Sequence, residues 1–143
     1  MNRSAIEGIL PHRDHMLLVD EVEFTDGVSS GRYTVRGDEF FLCGHFPGNP
    51  VVPGVILCEM MAQSACLLVE SGGDEFTPYL TGLNNVKFRG KVTPGDTVEF
   101  KCELNKRKGA FYFIKCAGYV GGALCVSGEI SFAVVKRENT DVF

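Results

Sequence analysis

The sequence predicts an α+β domain in which one curved antiparallel sheet covers a single central helix. Residues 53–70 form a segment that is apolar on most sides when written as a helix, and such a helix needs cover nearly all round. After this segment the pattern changes to a period of two, with apolar Val98 and Phe100 alternating with charged residues. That alternation is typical of strands with one buried face. A sheet wrapped around the helix satisfies both patterns.

Length and composition predict one domain, residues 1–143, and exclude several classes of protein. The formal net charge of −4 and the pI near 5.3 argue against a nucleic-acid-binding protein, which needs a basic surface. The longest apolar run, residues 51–69, contains too many polar residues to span a membrane. No apolar signal region opens the chain, and six cysteines form no C-x-x-C pair. We therefore expect a reduced, cytoplasmic protein.

The first third of the chain predicts a short helix and two strands. Residues 4–7 fit a capping box, so a helix is expected to start at Ser4 and to end at Pro11. Residues 16–22 and 31–36 have the composition and alternation of strands. A long loop rich in Gly and Pro follows, residues 40–52, and Pro53 suits the first turn of the central helix.

The rest of the chain predicts a run of antiparallel strands. The central helix is expected to end near residue 70, before Gly72-Gly73. Strands are predicted at residues 79–89, 97–104, 111–118 and 124–135, with turns at 93–96, 108–109 and 121–122. A sheet of this kind has free edges, which favours pairing with a second copy of the chain.

The loop and the helix start bring together residues that suit proton transfer. His45 lies in the loop, and Glu59 follows 14 positions later inside the apolar helix. On a helix Glu59 shares its face with Val55, Ile56 and residues 62–63, so loss of solvation is expected to raise its pKa toward that of a general acid. The alternative is a structural glutamate bonded to Gln63 or to the backbone, and a loop histidine alone is more often a surface or packing residue.

The start of the helix adds a third chemical feature. The backbone N–H groups near Gly54 and Val55 have no partner within the helix and lie at the positive end of its dipole. Such donors can hold a carbonyl oxygen as charge builds on it. A base, an acid and an oxyanion site in one place indicate proton abstraction beside a carbonyl group.

At these residues the chain closely resembles the beta-hydroxyacyl-[acyl-carrier-protein] dehydratases of the FabZ type. The resemblance extends over residues 6–135 and rests on three ordered motifs. The middle motif, Gly44-His45-Phe46-Pro47-Gly48 followed by Pro53-Gly54, Glu59 and Met61-Ala62-Gln63, is highly specific. Supporting motifs are Leu10-Pro11-His12-Arg13 with Leu17-Leu18-Val19-Asp20, and Val86-Lys87-Phe88-Arg89 with Val92-Thr93-Pro94-Gly95-Asp96.

The resemblance implies a hotdog fold, in which a long helix is wrapped by an antiparallel sheet, and a homodimer that often assembles into a trimer of dimers. It implies that His45 is the catalytic base and Glu59 the catalytic acid. Gly54 and Val55 are expected to contact the substrate thioester, with Phe46 and Gln63 completing the binding site. The partner is acyl carrier protein bearing the acyl group. No cofactor and no metal are implied.

Two features leave alternatives open. Asp14-His15 stands where the family usually has an aromatic or proline pair, and His12, Asp14 and His15 are too close in a turn for good metal geometry, so a structural role is expected. The rival activity is that of a hotdog-fold acyl thioesterase, which activates water, and a further rival is a non-catalytic acyl-binding subunit. Docking of an acidic carrier to this acidic chain requires a local basic patch. Its predicted members are Arg89, Lys91, Lys106, Arg107 and Lys108.

Overall fold

The computed structural model describes residues 1–10, 12–44, 48–69 and 76–136. Six antiparallel strands form one sheet in the order β1-β2-β4-β5-β6-β3. The strands are β1 (Glu21–Thr25), β2 (Val28–Thr34), β3 (Phe76–Phe88), β4 (Thr97–Lys108), β5 (Phe111–Val120) and β6 (Ala123–Lys136). The α-helices are α1 (Arg3–Ile6) and α2 (Gly54–Ser64), and short 3₁₀ turns cover Asp14–Met16, Phe40–Leu42 and Cys66–Leu68.

The predicted α+β hotdog arrangement is confirmed, because the sheet packs around α2. From Leu57 to Ser64 the helix has only one residue that is not buried, Glu59. Strands β2, β4 and β5 supply the covering side chains, among them Phe100 and Ile114, which have no exposed surface. A helix that is apolar on most sides is stable only with such cover, and the side chains of the sheet supply it.

The first predicted strand lies too early in the chain. Residues 16–22 were expected to form it, whereas β1 begins at Glu21. The apolar residues Leu17, Leu18 and Val19 are buried, but not as part of the sheet. The Leu18 N–H donates to the side chain of Gln63 at 2.7 Å instead of to a neighbouring strand. The apolar run is therefore buried, as its composition indicated, but the backbone of Leu18 bonds to a side chain of α2 instead of to a strand.

The second strand is also displaced, because the sequence contains a hairpin turn that the prediction omitted. Asp26 and Gly27 have φ values of 51° and 81°, and they join β1 to β2 as a two-residue loop with Thr25 opposite Val28. Asp-Gly is a preferred sequence for such a turn, since both positions need positive φ. β2 consequently spans Val28–Thr34 instead of residues 31–36.

Both α-helices are shorter than predicted. α1 is capped by Asn2, whose side-chain oxygen accepts from the Ala5 N–H at 3.0 Å, and not by Ser4; it ends at Ile6. α2 ends at Ser64, whose carbonyl accepts a hydrogen bond from Ser29 Oγ of β2 at 2.6 Å, and a 3₁₀ turn follows at Cys66–Leu68. Pro11, residue 70 and Gly72-Gly73, where these helices were expected to end, lie outside the described residues.

The two edges of the sheet differ in their side chains. Among the described strands β3 pairs with β6 alone, and four of its large apolar side chains are exposed. These are Tyr79, Leu80, Leu83 and Phe88. β1 is the other edge, with Phe24 exposed. The position of β3 at the edge of the sheet, combined with its exposed apolar side chains, suits the predicted pairing with a second copy.

Gly31 of β2 tests how closely the sheet approaches the helix. A Cβ atom at this position would overlap the side chain of Ser64 and lie 3.0 Å from its Cα. We expect Gly31→Ala to lower the free energy of unfolding by about 1–3 kcal/mol, because it overpacks the core. Gly90→Ala is the control, since its Cβ would meet nothing closer than 3.5 Å. Urea unfolding of the two variants should separate them; equal stabilities would contradict the close contact between β2 and α2.

Candidate active site

Glu59 lies in the wall of a cavity of about 260 Å³ between α2, the N-terminal segment and β3. It is the one carboxylate among the described residues that line this cavity. The other lining residues are mostly apolar: Ile9, Leu10, His12, Ala62, Gln63, Cys66, Val69, Thr77, Pro78, Tyr79, Leu80 and Phe132. An apolar cavity with a few convergent polar groups is the usual form of a small-molecule site.

Gln63 fixes the Glu59 side chain from the next turn of α2. Its Nε2 donates to Glu59 Oε2 at 2.8 Å and to the Met16 carbonyl at 2.7 Å, and its Oε1 accepts from the Leu18 N–H at 2.7 Å. Gln63 is only 1% exposed. Both amide hydrogens are used within the protein, so Gln63 has none left to donate to a substrate. In the structure Gln63 therefore supports Glu59, and its expected contact with the substrate stays a prediction.

His12 also contacts Glu59, and the sequence did not indicate this contact. Its Nε2 lies 3.3 Å from Glu59 Oε2, the oxygen that Gln63 holds. In the sequence, His12 was considered only as a metal ligand. The sole available signal was its place in the Leu10-Pro11-His12-Arg13 motif, which contains no information about distance. The contact depends on the N-terminal segment folding back against α2.

These contacts reverse the expected direction of the Glu59 pKa. Burial raises the pKa of this carboxyl, as the sequence indicated, but hydrogen bonds from His12 and Gln63 and the charge of His12 lower it further than burial raises it. The net result is a pKa below the ordinary value, so the carboxyl is ionised at neutral pH in the free protein. The prediction of a raised pKa was wrong because it did not include the two donors.

The predicted base and one predicted binding residue, His45 and Phe46, lie outside the described residues. Gly44 and Gly48, which flank them, have φ values of 77° and 73°. This left-handed conformation favours glycine, and it accounts for the two glycines of the Gly44–Gly48 motif.

The start of α2 is the place where the sequence predicts unpaired backbone donors, at Gly54 and Val55. The N–H groups of Ile56 and Leu57 bond to the Pro53 carbonyl. Within the described part of the chain, the N–H groups of Gly54 and Val55 make no such bond. The Phe88 ring packs against Gly54 so closely that a Cβ there would lie 2.8 Å from the ring. Glycine therefore allows an aromatic side chain to cover the helix start.

The other reactive side chains described near the cavity are not in a state or an arrangement that supports catalysis. Burial raises the pKa of Cys66 to about 12, so this lining residue is a neutral thiol and a poor nucleophile. All six cysteines lie in described segments and are free, and five of them are buried. In the described ranges no group of three or more His, Cys, Asp or Glu side chains is placed to hold a metal ion. His15 instead packs edge-on against Phe40, with ring centroids 6.4 Å apart.

Sequence comparisons find relatives of nearly the same length. The chain is 40% identical over 138 residues to the 3-hydroxyacyl-[acyl-carrier-protein] dehydratase FabZ of Clostridium perfringens, covering 94% of this chain and 99% of that protein. It is 41% identical over 142 residues to the protein of the same name from Moorella thermoacetica, covering 96% and 99%. The model of the FabA-like domain matches residues 10–129. The chain therefore belongs to the FabA-like domain family, and the predicted resemblance is confirmed.

Solved structures share the fold at low sequence identity. The dehydratase heterocomplex ApeI:P from Xenorhabdus doucetiae has a TM-score of 0.77 at 21% identity, covering 93% of this chain and 92% of that one. A fluoroacetyl-CoA-specific thioesterase, FlK, has a TM-score of 0.64 at 16% identity, covering 81% and 98%. The same architecture thus occurs in a dehydratase and in a thioesterase.

No helix in the described part of the chain is long and apolar enough to cross a membrane.

The lowered pKa of Glu59 predicts how this residue affects stability at different pH values. A carboxyl whose folded-state pKa is depressed stabilises the fold above its unfolded pKa, about 4.3, and this contribution is lost as pH falls through the folded pKa. We expect Glu59→Gln to be less stable than the unmodified protein at pH 7 and to approach it at about pH 3. Urea unfolding at both pH values measures the difference; a gap that widens in acid would contradict the depressed pKa.

Proposed function

We propose that this protein is a cytoplasmic dehydratase that converts (3R)-hydroxyacyl-[acyl-carrier-protein] to trans-2-enoyl-[acyl-carrier-protein] in fatty acid biosynthesis. The observation that carries the proposal is Glu59, a carboxylate held by two donors in the wall of an apolar cavity. Relatives about 40% identical over nearly their whole length are named as dehydratases of this type. The cavity suits an acyl chain, and the carboxylate suits proton transfer at its C3 hydroxyl.

In the proposed mechanism, His45 removes a proton from C2 while Glu59 protonates the departing C3 hydroxyl as water. The N–H groups of Gly54 and Val55 hold the thioester oxygen as negative charge develops on it. One proton is taken and one is given, so the protein ends with His45 protonated and Glu59 ionised. Transfer of a proton from His45 to Glu59, directly or through water, restores the starting state. No cofactor takes part.

The acid role requires a protonated Glu59, whereas the free protein holds it ionised. Filling the cavity with an acyl chain removes water from the carboxyl, and this loss of solvation favours the neutral form. The two donors on Oε2 then stabilise the carboxylate as it forms, when the proton moves to the hydroxyl. Substrate binding thus favours proton uptake by Glu59, and the two donors favour release of that proton.

A second copy of the chain completes the proposed site. β3 is an edge strand with exposed Tyr79, Leu80, Leu83 and Phe88, and pairing with the same strand of another copy would cover them. We propose a homodimer, which can assemble further into a trimer of dimers. Each active site would take His45 from one subunit and Glu59 from its partner.

The acyl carrier protein is the proposed macromolecular partner, but the five predicted basic residues do not form one patch on a single chain. Arg89 and Lys91 follow β3 and lie beside the start of α2, since the Val52 N–H bonds to the Val92 carbonyl at 2.9 Å. Phe88, at the end of β3 next to Arg89, is level with Phe100 of β4 in the sheet register. Residues 106–108 lie about 25 Å further along β4 from Phe100. We propose that Arg89 and Lys91 receive the acidic carrier, because they are near the thioester position.

Substitution of the two proton carriers tests the reaction. His45→Ala and Glu59→Gln should each lower the rate of dehydration at least about 100-fold, the lower range for general acid–base groups. Product analysis by mass with 3-hydroxyacyl-carrier thioesters distinguishes the enoyl thioester from free acid. Near-normal turnover in either folded variant would refute the assigned roles, and release of free acid would identify a thioesterase.

Complementation tests whether the site is shared between subunits. His45→Ala and Glu59→Gln are unfolded and refolded together, with native mass spectrometry confirming mixed dimers. A mixed dimer with shared sites has one site with both groups and one with neither. Random mixing gives about half mixed dimers, so activity should recover to about a quarter of the unmodified value. A mixture that stays inactive would show that each site lies within one chain, without affecting the assignment as a dehydratase.

A further inference from the structure

The contact between His12 and Glu59 has a consequence for which oxygen of the carboxylate reacts. Both donors recorded for Glu59 are on Oε2: Gln63 Nε2 at 2.8 Å and His12 Nε2 at 3.3 Å. Oε1 takes part in neither contact. Two donors on one oxygen fix the plane of the carboxylate, because the group can no longer turn about its last bond without losing a hydrogen bond. One oxygen is therefore held, and the other remains for chemistry.

We propose that His12 is a positioning residue for Glu59, which it holds through Nε2 and Oε2 so that Oε1 is the oxygen presented to the substrate hydroxyl. The inference rests on the proposed dehydration, for which Glu59 is the acid. His12 does not itself exchange a proton with the substrate. It acts through Glu59 in two ways: it orients the carboxylate, and its N–H stabilises the charge that appears when Glu59 gives up its proton.

The surroundings of His12 favour a specific role over surface packing. The ring lines the cavity, and its Nδ1 is buried without a hydrogen-bond partner among the described residues. A buried nitrogen without a hydrogen-bond partner lowers the stability of the fold. Arg13 holds the backbone of His12 in place, with Nη1 donating to the His12 and Leu10 carbonyls at 2.7 Å. The ring is thus kept against Glu59 although one of its nitrogens is left unsatisfied.

Few other titratable groups face this pair. Cys58 is next to Glu59 on α2, and burial raises its pKa, as it does for Cys66 on the cavity wall. Both are neutral thiols at neutral pH. Tyr79 faces the cavity from β3, and the charge of Arg13 is paired with Glu7 at 3.5 Å. Within the described residues, His12 is therefore the titratable side chain in direct contact with Glu59, with its Nε2 3.3 Å from Oε2.

The test compares three substitutions. His12→Phe keeps a planar ring but removes the donor, and His12→Gln restores an N–H near the position of Nε2. His15→Phe is the matched control, because His15 lies in the same segment and contacts Phe40 instead of Glu59. We expect His12→Phe to lower kcat about 10- to 100-fold, the scale of a misplaced catalytic group, with KM changed less than about threefold. His12→Gln should recover most of the loss, and His15→Phe should behave like the unmodified protein.

A direct readout follows the protonation of Glu59 without turnover. Infrared difference spectra between pH values report the neutral carboxyl of Glu59, identified by its absence in Glu59→Gln. In His12→Phe this band should persist to higher pH than in the unmodified protein, because a donor to the carboxylate is gone. His12→Gln and His15→Phe should leave it close to its normal position. An unshifted band in folded His12→Phe would overturn the proposal. If His12→Phe does not fold, His12→Gln takes its place in the test. A Glu59 band in His12→Gln that moves as far as the band of reference carboxylates without a hydrogen-bond donor would then overturn the proposal.

A double-substitution cycle separates this inference from the proposed function. If His12 acts only through Glu59, adding His12→Phe to Glu59→Gln should cause no further loss of activity. An equal loss in both backgrounds would show that His12 acts independently and would overturn the positioning role. Normal turnover in Glu59→Gln alone would instead refute the proposed function. Loss of activity in Glu59→Gln with none in folded His12→Phe would refute this inference and leave the dehydratase assignment intact.

Discussion

The side-chain amide of Gln63 is the interaction on which the arrangement of the site depends. It bonds to the N-terminal segment at Met16 and Leu18 and to the carboxylate of Glu59. Because it is almost fully buried, loss of any of these bonds would leave a polar group without a partner at a cost of about 1–3 kcal/mol. The amide therefore couples the position of the N-terminal segment to the orientation of the carboxylate.

This coupling explains why the residues before β1 do not join the sheet. Leu17 and Val19 are buried with Ile6 and Leu10 in a small second core, whereas Leu18 is buried in the main core with residues of α2. The same segment places His12 against Glu59. One stretch of chain thus closes the helix from the side that the sheet leaves open, supplies a wall of the cavity and provides a donor to the carboxylate.

The site also shows why the environment of a buried carboxyl must be known before its pKa is assigned. Position on an apolar helix face accounts for loss of water around Glu59, which raises the pKa. Two N–H donors act in the opposite direction and prevail. For a general acid this is useful: the carboxylate that forms during the reaction is already hydrogen-bonded, while filling the cavity supplies the desolvation that favours proton uptake.

The sequence by itself determined the fold class, most of the strands and the family, because hydrophobic periodicity and short motifs are local properties of the chain. It predicted Glu59 on the central helix for the same reason. Only the tertiary structure decided that α2 stops where Ser29 bonds to Ser64 and that His12 reaches Glu59. These contacts join residues 35 and 47 positions apart in the sequence, and no local pattern contains the distance between two segments that meet only when the sheet closes around the helix.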